Sequence, residues 1–362
     1  MRRFAAERPF PSDFRRGPFV KTISFALPCY NSAEYMDKCV ESILAFCDDR
    51  EDIEILIVND GSTKDDTRQK ADEWQTRHPQ IIRAIHKENG GHGSAVNTGI
   101  SHARGFYYKV VDSDDWLDEA SMRTIMPYLR EQVARAENAT DMVVANYVYE
   151  KVFEGKHTVM DYANVFPEGR EFGWDEVGRF KSSQYLLMHS VIYRTQMLRD
   201  IELVLPEHCF YVDNIFVYVP LPHVHSIRYF NVDMYRYFIG REGQSVNEDV
   251  MKSRIDQHLR VTRLMVDQVD IDRVDSPRLS AYLDSYLAMM MCICAVFLRM
   301  IDTPESNGKL ADTWGYLKER RPKVYGRLRR NPLNIGMNLP GSLGRGIGLG
   351  GYRLARKVFK FN

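Results

Sequence analysis

The sequence predicts an α/β fold: a doubly wound, mostly parallel sheet followed by an α-helical C-terminal region. Three observations carry this expectation. Short apolar runs alternate with segments of helical spacing through the first third of the chain. One of those runs, Ile53–Val58, is almost entirely apolar or β-branched, as a strand covered on both faces must be. From Val250 to about Arg320 the pattern is helical, rich in Leu, Met and Arg, with no glycine before Gly308.

The elements follow in order. Thr22–Leu27 reads as a strand ended by Pro28, and Ala33–Phe46 as a helix with Met36, Val40, Ile43 and Leu44 on one face. Ile53–Val58 is the second strand, broken by Asn59-Asp60-Gly61-Ser62, and Lys64–Arg77 is a polar helix. Ile81–Ile85 is the third strand. Gly90–Gly93 is a turn, and Ser94–Arg104 a helix with Ser94 as its cap. Phe106–Val111 is the fourth strand, stopped by Asp112. Further on, Asp141–Lys151 and Met188–Tyr193 read as strands, with loops over Gly155–Gly178. The expected organisation is an N-terminal extension over 1–20, two halves of one α/β domain over 21–116 and 117–249, a helical region over 250–330 and a Gly-rich tail over 331–362.

The chain has 362 residues, with 49 Lys+Arg against 49 Asp+Glu. That balance conceals a separation. Tyr316 to Asn362 holds twelve Lys/Arg and one acidic residue, Glu319, for a net charge of +11. The preceding 315 residues, with 37 basic against 48 acidic, carry −11. A cationic tail mixing Tyr352, Phe359 and Phe361 with Arg and Lys suits an anionic membrane surface. No nucleic-acid recognition fold accompanies the charge, so no nucleic-acid partner is expected. The six cysteines form no paired zinc pattern and suit a reducing compartment. Met1 to Val20 has no continuous apolar stretch behind Arg2 and Arg3, so no secretion signal is expected. The longest apolar run, Tyr286–Leu298, is 13 residues, short of the roughly 20 that span a bilayer. The expectation is a cytoplasmic protein, with any membrane contact peripheral at the inner face of the plasma membrane.

Four polar clusters follow the strands, where such a sheet binds ligands. They are Pro28-Cys29-Tyr30-Asn31, Asn59-Asp60-Gly61-Ser62, Lys87-Glu88-Asn89-Gly90-Gly91-His92-Gly93 and Asp112-Ser113-Asp114-Asp115. Three carboxylates in four residues repel one another, and a hard divalent ion resolves this while leaving positions for phosphate oxygens. Asp112 and Asp114 are therefore candidate ligands for Mg²⁺ or Mn²⁺. Asp115, followed by Leu117 and Asp118, is also suited to cap the next helix. The third cluster offers backbone N–H groups at a helix start, a natural anion site, with Lys87 and Gly91 as candidate donor-binding residues. The third cluster contains neither G-x-x-x-x-G-K-[ST] nor G-x-G-x-x-G, so P-loop and Rossmann dinucleotide readings of it fail. His223 and His225 are further candidate metal ligands, against the commoner structural role of histidine.

With these motifs in hand, the stretches TISFALPCYNSAEYMDKCVESIL, DIEILIVNDGSTKDDT and HKENGGHGSAVNTGISHARGFYYKVVDSDDWLD resemble the GT-A catalytic core of family 2 glycosyltransferases. The resemblance is close over about residues 20–120 and looser to about 250. It implies a GT-A nucleotide-diphospho-sugar transferase fold and an inverting, metal-dependent transfer from a UDP-sugar. Pro28, Tyr30 and Asn31 would then line the nucleotide pocket, and Asp60 would accept from the uracil ring. Asp112, Ser113 and Asp114 would meet the ribose and the metal-bound diphosphate. An Asp-x-x-Phe pattern aligns Asp213 with the family's catalytic base, with Glu207 in reserve. Val212 stands where the family usually has Glu. Arg241 and Gln244 fall in a segment that resembles the family's closing loop over the diphosphate. The acceptor implied is a lipid-linked or cell-surface glycan. Two other readings stand beside this one: an inactive module of the same fold that binds nucleotide or glycan, and a nucleotidyltransferase, whose G-x-G-T-R type loop is missing here.

Overall fold

The computed structural model describes residues 21–48, 51–181, 184–240 and 248–339, together with Gly346, Gly348 and Gly350. Arg241 and Gln244, the 1–20 extension and most of the basic tail lie outside the described residues. The chain divides into two compact units. One takes in the described residues through Arg179 and Leu186–Ile239; the other takes in Phe180–Tyr185 and the described residues from Gly240 onward.

In the first unit, the apolar runs become strands β1 (Lys21–Cys29), β2 (Ile53–Asp60), β3 (Ile82–Lys87) and β4 (Gly105–Val110), all mutually parallel in the order β3-β2-β1-β4. Helices α1 (Met36–Leu44), α2 (Thr67–Arg77) and α3 (His92–His102) connect them. All eight residues of β2 are buried, as its composition requires. Pro28 does not end β1. It continues in register with Val58, beyond the last pairing with β4, where its missing N–H costs no ladder bond.

The remaining strands are β5 (Trp116–Leu117), β6 (Met142–Lys151), β7 (Lys156–Met160), β8 (Glu171–Phe172), β9 (Val191–Arg194) and β10 (Ile227–Phe238). They extend the sheet as β4-β9-β6-β10-β5, with β7 on β6 and β8 on β10. β9 runs antiparallel to both its neighbours, so the sheet is mixed beyond β4. β6 and β10 nevertheless point the same way as β1–β4. Two expectations change here. The 155–178 stretch holds two strands as well as loops, and Met188–Ser190 is a 3₁₀ turn ahead of β9 rather than its start.

Helices α4 (Glu119–Arg135), α5 (Thr195–Asp200) and α6 (Asp213–Tyr218) complete this unit. Asp118, not Asp115, caps α4, with its Oδ1 accepting from Ser121 N–H at 3.0 Å. Ser94 does not cap α3 either. Gly91 holds that place with φ +84°, a left-handed conformation that favours glycine, and Ser94 lies one turn further in.

The second unit is helical: α7 (Glu248–Ser253), α8 (Ile255–Gln268), α9 (Pro277–Ile301), α10 (Pro304–Arg320), α11 (Pro322–Leu328) and α12 (Pro332–Met337). Ser276 caps α9 and Pro277 opens it, a fitting pair for a helix start. α9 is 25 residues long and contains an 18-residue window of mean hydropathy 1.8, so it is long and apolar enough to cross a membrane, unlike the 13-residue run read from the sequence. Two-thirds (67%) of its apolar window is buried inside the protein, as in a core helix, and α8, α10, α11 and α12 pack on it.

Candidate functional site

The carboxyl ends of β1, β2, β3 and β4 bring the four polar clusters to one edge of the sheet. Asn31, in a left-handed conformation with φ +50°, joins two of them. Its side-chain oxygen accepts from Thr63 N–H and Lys64 N–H at 3.1 and 3.0 Å, while its own N–H donates to Ser62 Oγ. Pro28 is buried and Tyr30 is half exposed just beyond the strand end, placed to meet a ligand.

Asp60 has a role the sequence does not show. Its buried carboxylate accepts from Lys87 Nζ (2.7 Å), Gly90 N–H (3.0 Å), Gly91 N–H (2.7 Å) and Asn89 Nδ2 (3.2 Å). Four donors fill the usual capacity of an ionised carboxylate. The anion held by this N–H cradle is therefore the protein's own Asp60. Lys87 and the Gly91 N–H, expected to face the donor, face Asp60 instead. A uracil N–H would have to join or displace one of these donors.

At the end of β4, Asp112 Oδ1 is bonded to His92 Nε2 at 2.9 Å. Burial alone would lower the His92 pKa, but the Asp112 bond and the charges of Asp112, Asp213 and Asp114 outweigh it and raise the pKa. Burial likewise opposes ionisation of Asp112, and the His92 bond overcomes it and lowers that pKa. Asp115 turns inward. Its carboxylate accepts from Tyr235 OH at 2.6 Å and from Phe238 N–H at 2.8 Å. Burial, then the charges of Asp114 and Asp112, raises its pKa well above the ordinary range. Tyr235 also accepts from Asp112 N–H at 3.0 Å, so β10 braces the acidic turn. Ser113 is buried beneath the turn beside Cys29. Burial pushes the Cys29 thiol up to about 12, so it supplies no thiolate.

Behind the acidic turn sit Lys109 and His189, which the sequence reading passed over. Lys109 is fully buried on β4, its Nζ donating to the carbonyls of His189 (2.8 Å), Met188 and Val191 (3.3 Å each). Burial lowers its pKa to about 7, against the raising charges of Asp112 and Asp115. His189 stacks on Tyr235 with ring centroids 4.5 Å apart and planes 22° apart. Burial lowers its pKa to about 4, which leaves a neutral imidazole.

Asp213 reaches this edge by a stitched segment. Asn97 on α3 exchanges two 2.9 Å hydrogen bonds with the Leu205 backbone, Ser94 Oγ donates to Glu207 at 2.6 Å, and His208 N–H donates to Gly90 O at 2.6 Å. Gly93 lets the two segments touch, since a Cβ there would lie 2.7 Å from Pro206 O. Asp213, the first residue of α6, is half-buried within electrostatic reach of His92 and Asp112. Burial raises its pKa, His92 lowers it, and the net direction is up. Glu207 is tied to Ser94.

Asp112, Asp115 and His189 offer ligand atoms that all lie within 4.8 Å of one another. His189 Nδ1 is buried with no hydrogen-bond partner. Two carboxylates and an open imidazole nitrogen fit a divalent cation, so the metal expected at Asp112 and Asp114 finds suitable residues. His223 and His225 do not belong to this group. They precede β10, and His225 N–H bonds Asp141 just before β6, so both lie at the amino edge of the sheet, away from the strand ends that carry the clusters. A cavity of about 580 Å³ lined by Asp118, Asn146, Asp233 and Arg236 opens on the other face of β10, since Tyr235 and Arg236 alternate sides.

Residues 24–194 match the family described as Glycosyl transferase family 2. Glycosyltransferase GlyG of Streptococcus pneumoniae is 38% identical over 126 residues, which cover 34% of this chain and 38% of that protein, so the chain spans under two-fifths of this relative. Among solved structures, S. aureus TarS in complex with UDP superposes with TM-score 0.64 at 18% identity, covering 93% of this chain and 91% of that one. TarS was also solved in complex with UDP-GlcNAc. The mannosyltransferase PcManGT of Pyrobaculum calidifontis, in complex with GDP-Man and Mn²⁺, superposes with TM-score 0.51 at 12% identity, covering 97% of this chain and 93% of that one.

Proposed function

Residues 24–194 match glycosyltransferase family 2, and on that premise we propose that this chain transfers a sugar from a UDP-sugar to an acceptor hydroxyl with inversion. The observation that carries the reading is the arrival of Asp213, from α6, beside the His92–Asp112 pair at the end of β4. Inversion needs a base on the face of the sugar opposite the leaving nucleotide. Asp213 is the carboxylate available for that task. It takes the acceptor O–H proton as the acceptor oxygen bonds the anomeric carbon, and the bond from that carbon to the diphosphate breaks. Positioned base catalysis contributes about 10²–10⁴ in rate.

His92 holds Asp112 in one orientation, and Tyr235 fixes the turn from below. The acidic turn, through Asp112, would hold a divalent cation that neutralises the leaving diphosphate. That help is needed, because the Gly90 and Gly91 N–H groups are already held by Asp60. The crystallised complexes of TarS with UDP and UDP-GlcNAc support a uridine nucleotide donor, and the Mn²⁺ complex of PcManGT supports the cation.

The acceptor we propose is a lipid-linked or cell-surface glycan, met at the cytoplasmic face of the plasma membrane, with the basic tail as the peripheral anchor. The support is the net +11 of residues 316–362, five of whose cations fall in the 331–362 tail with its interleaved aromatics.

A screen of UDP-sugars with Mn²⁺ or Mg²⁺, reading UDP release, tests the transfer. The expected result is release with one donor class. Asp213→Asn should cut turnover by about 10²–10⁴ with UDP affinity little changed. Because the Asp213 pKa is raised, the acid limb of kcat/KM should lie above the ordinary aspartate value of about 3.9, with activity rising as pH passes up through that limb. UDP binding without release from any donor would point to an inactive module instead.

A further inference from the structure

We propose that Asp112, Asp115 and His189 form a divalent-cation site in which a ring nitrogen of His189 is a direct ligand, so that the site prefers Mn²⁺ to Mg²⁺. This rests on the metal-assisted reading of the acidic turn. It departs from the Asp112–Asp114 pair that the sequence suggests, by placing the cation against the inner wall of the turn.

Two independent observations meet here. The first is position: one carboxylate oxygen from each aspartate and a ring nitrogen of His189 all lie within 4.8 Å of each other, although His189 is far away in sequence. The second is an unmet demand. His189 is 7% exposed, and its Nδ1 has no hydrogen-bond partner. A buried nitrogen left in that state has given up its hydrogen bond to water without replacement. A cation bound through Nδ1 would satisfy it.

The ring is set for the purpose. Tyr235 and Tyr237 flank it, each with centroids 4.5 Å away, and Tyr147 meets it edge-on at 6.0 Å. Lys109 anchors the His189 carbonyl at 2.8 Å, so the backbone that carries the ring is fixed as well. The carboxylates keep capacity for a ligand bond. Asp112 Oδ1 takes His92, and each oxygen of Asp115 takes one protein donor, against about two lone-pair directions per oxygen.

Ligand chemistry then sets the preference. Mg²⁺ favours oxygen ligands and keeps several waters, whereas affinity for a site containing imidazole rises along the later divalent metals. Mn²⁺ accepts both donor types, and Co²⁺ should bind more tightly still.

Pulsed EPR on the full chain with Mn²⁺, with and without UDP, tests the site. The expected spectrum carries ¹⁴N modulation from a directly bound imidazole, which changes to the ¹⁵N pattern when the histidines are ¹⁵N-labelled. His189→Gln should abolish the modulation and weaken Mn²⁺ binding by roughly tenfold or more, since even residues behind metal ligands contribute about 10–100-fold. Asp114→Asn should retain the modulation. If His189→Gln does not fold by circular dichroism, the wild-type spectra decide the matter alone. Bound Mn²⁺ with an oxygen-only spectrum overturns the proposal, and metal-dependent UDP release would still leave the transfer reading standing. The ¹⁴N signal without UDP release from any donor supports the site and fails the transfer reading. No Mn²⁺ bound in either state overturns the site.

Discussion

Lys109 carries an ammonium group into the interior of the sheet, held by three backbone carbonyls. Burial takes its pKa from 10.5 down to about 7. The sign of the linkage follows. Between about pH 7 and 10.5 the unfolded chain holds a proton that the folded chain has released, so stability rises with pH in that window, and the gain is lost as pH falls back across it from 10.5 to about 7. Urea unfolding at pH 7, 8 and 9 checks this. The wild type should gain up to about 1.4 kcal/mol per pH unit relative to Lys109→Met, which lacks the group. Nothing in the sequence marks Lys109, because FYYKV reads as an ordinary strand with one polar residue. Its meaning comes from the Met188–Ser190 turn, some 80 residues away, which supplies the carbonyls. Asp60 was legible as a polar strand end, but its partners are the donors the same reading had reserved for a ligand. Two local readings competed for one set of hydrogen bonds, and the fold gives those donors to Asp60.

Among the elements, the strands most legible in the sequence are those covered on both faces. β1, β2 and β4 are nearly continuous apolar runs and sit at the centre of the sheet. β7 went unread because it lies at the edge, with four of its five residues exposed and no apolar period to detect. The direction of β9 was equally hidden, since Val-Ile-Tyr-Arg suits parallel and antiparallel pairing alike. The path from β9 to α6 brings Asp213 into place, and it depends on contacts of the 205–213 stretch with α3 more than 100 residues away in sequence. The Asp-x-x-Phe pattern finds the residue; the contact at Gly93 positions it. Gly93→Ala would drive a Cβ to 2.7 Å from Pro206 O and 3.0 Å from Leu205 Cβ. Overpacking of this kind costs about 1–3 kcal/mol. UDP release and thermal melts should show turnover falling more than tenfold, about 1.4 kcal/mol in barrier terms, with the fold retained.

At the scale of the whole molecule, zero net charge is the sum of an acidic 1–315 stretch and a +11 C-terminal stretch. A few Lys or Arg near an anionic leaflet, each contributing about 1 kcal/mol, are enough to hold a protein there. Full-length protein should sediment with anionic liposomes at low salt and release as salt rises, because surface charge is screened within about 10 Å at 0.1 M. A chain ending at residue 330, which loses five of the twelve cations in that C-terminal stretch and the aromatics among them, should sediment less; equal sedimentation would assign the attraction to another surface. The helical second unit is legible as a class from its Leu- and Met-rich pattern, with no glycine between Val250 and Gly308. The length of α9 is not, since the polar residues Ser280, Asp284 and Ser285 divide an apolar helix of 25 residues into shorter runs.

The hydrogen bonds between Gly90 and His208, Ser94 and Glu207, and Asn97 and Leu205 have a kinetic consequence. They make the segment that delivers Asp213 a continuation of the loop after β3, which under the proposed transfer borders the donor. Donor contact with that loop would pass through these bonds to Asp213 before the acceptor arrives. Substrates should therefore add in a fixed sequence, nucleotide sugar first and UDP last to leave. UDP would then inhibit competitively against the donor and noncompetitively against the acceptor.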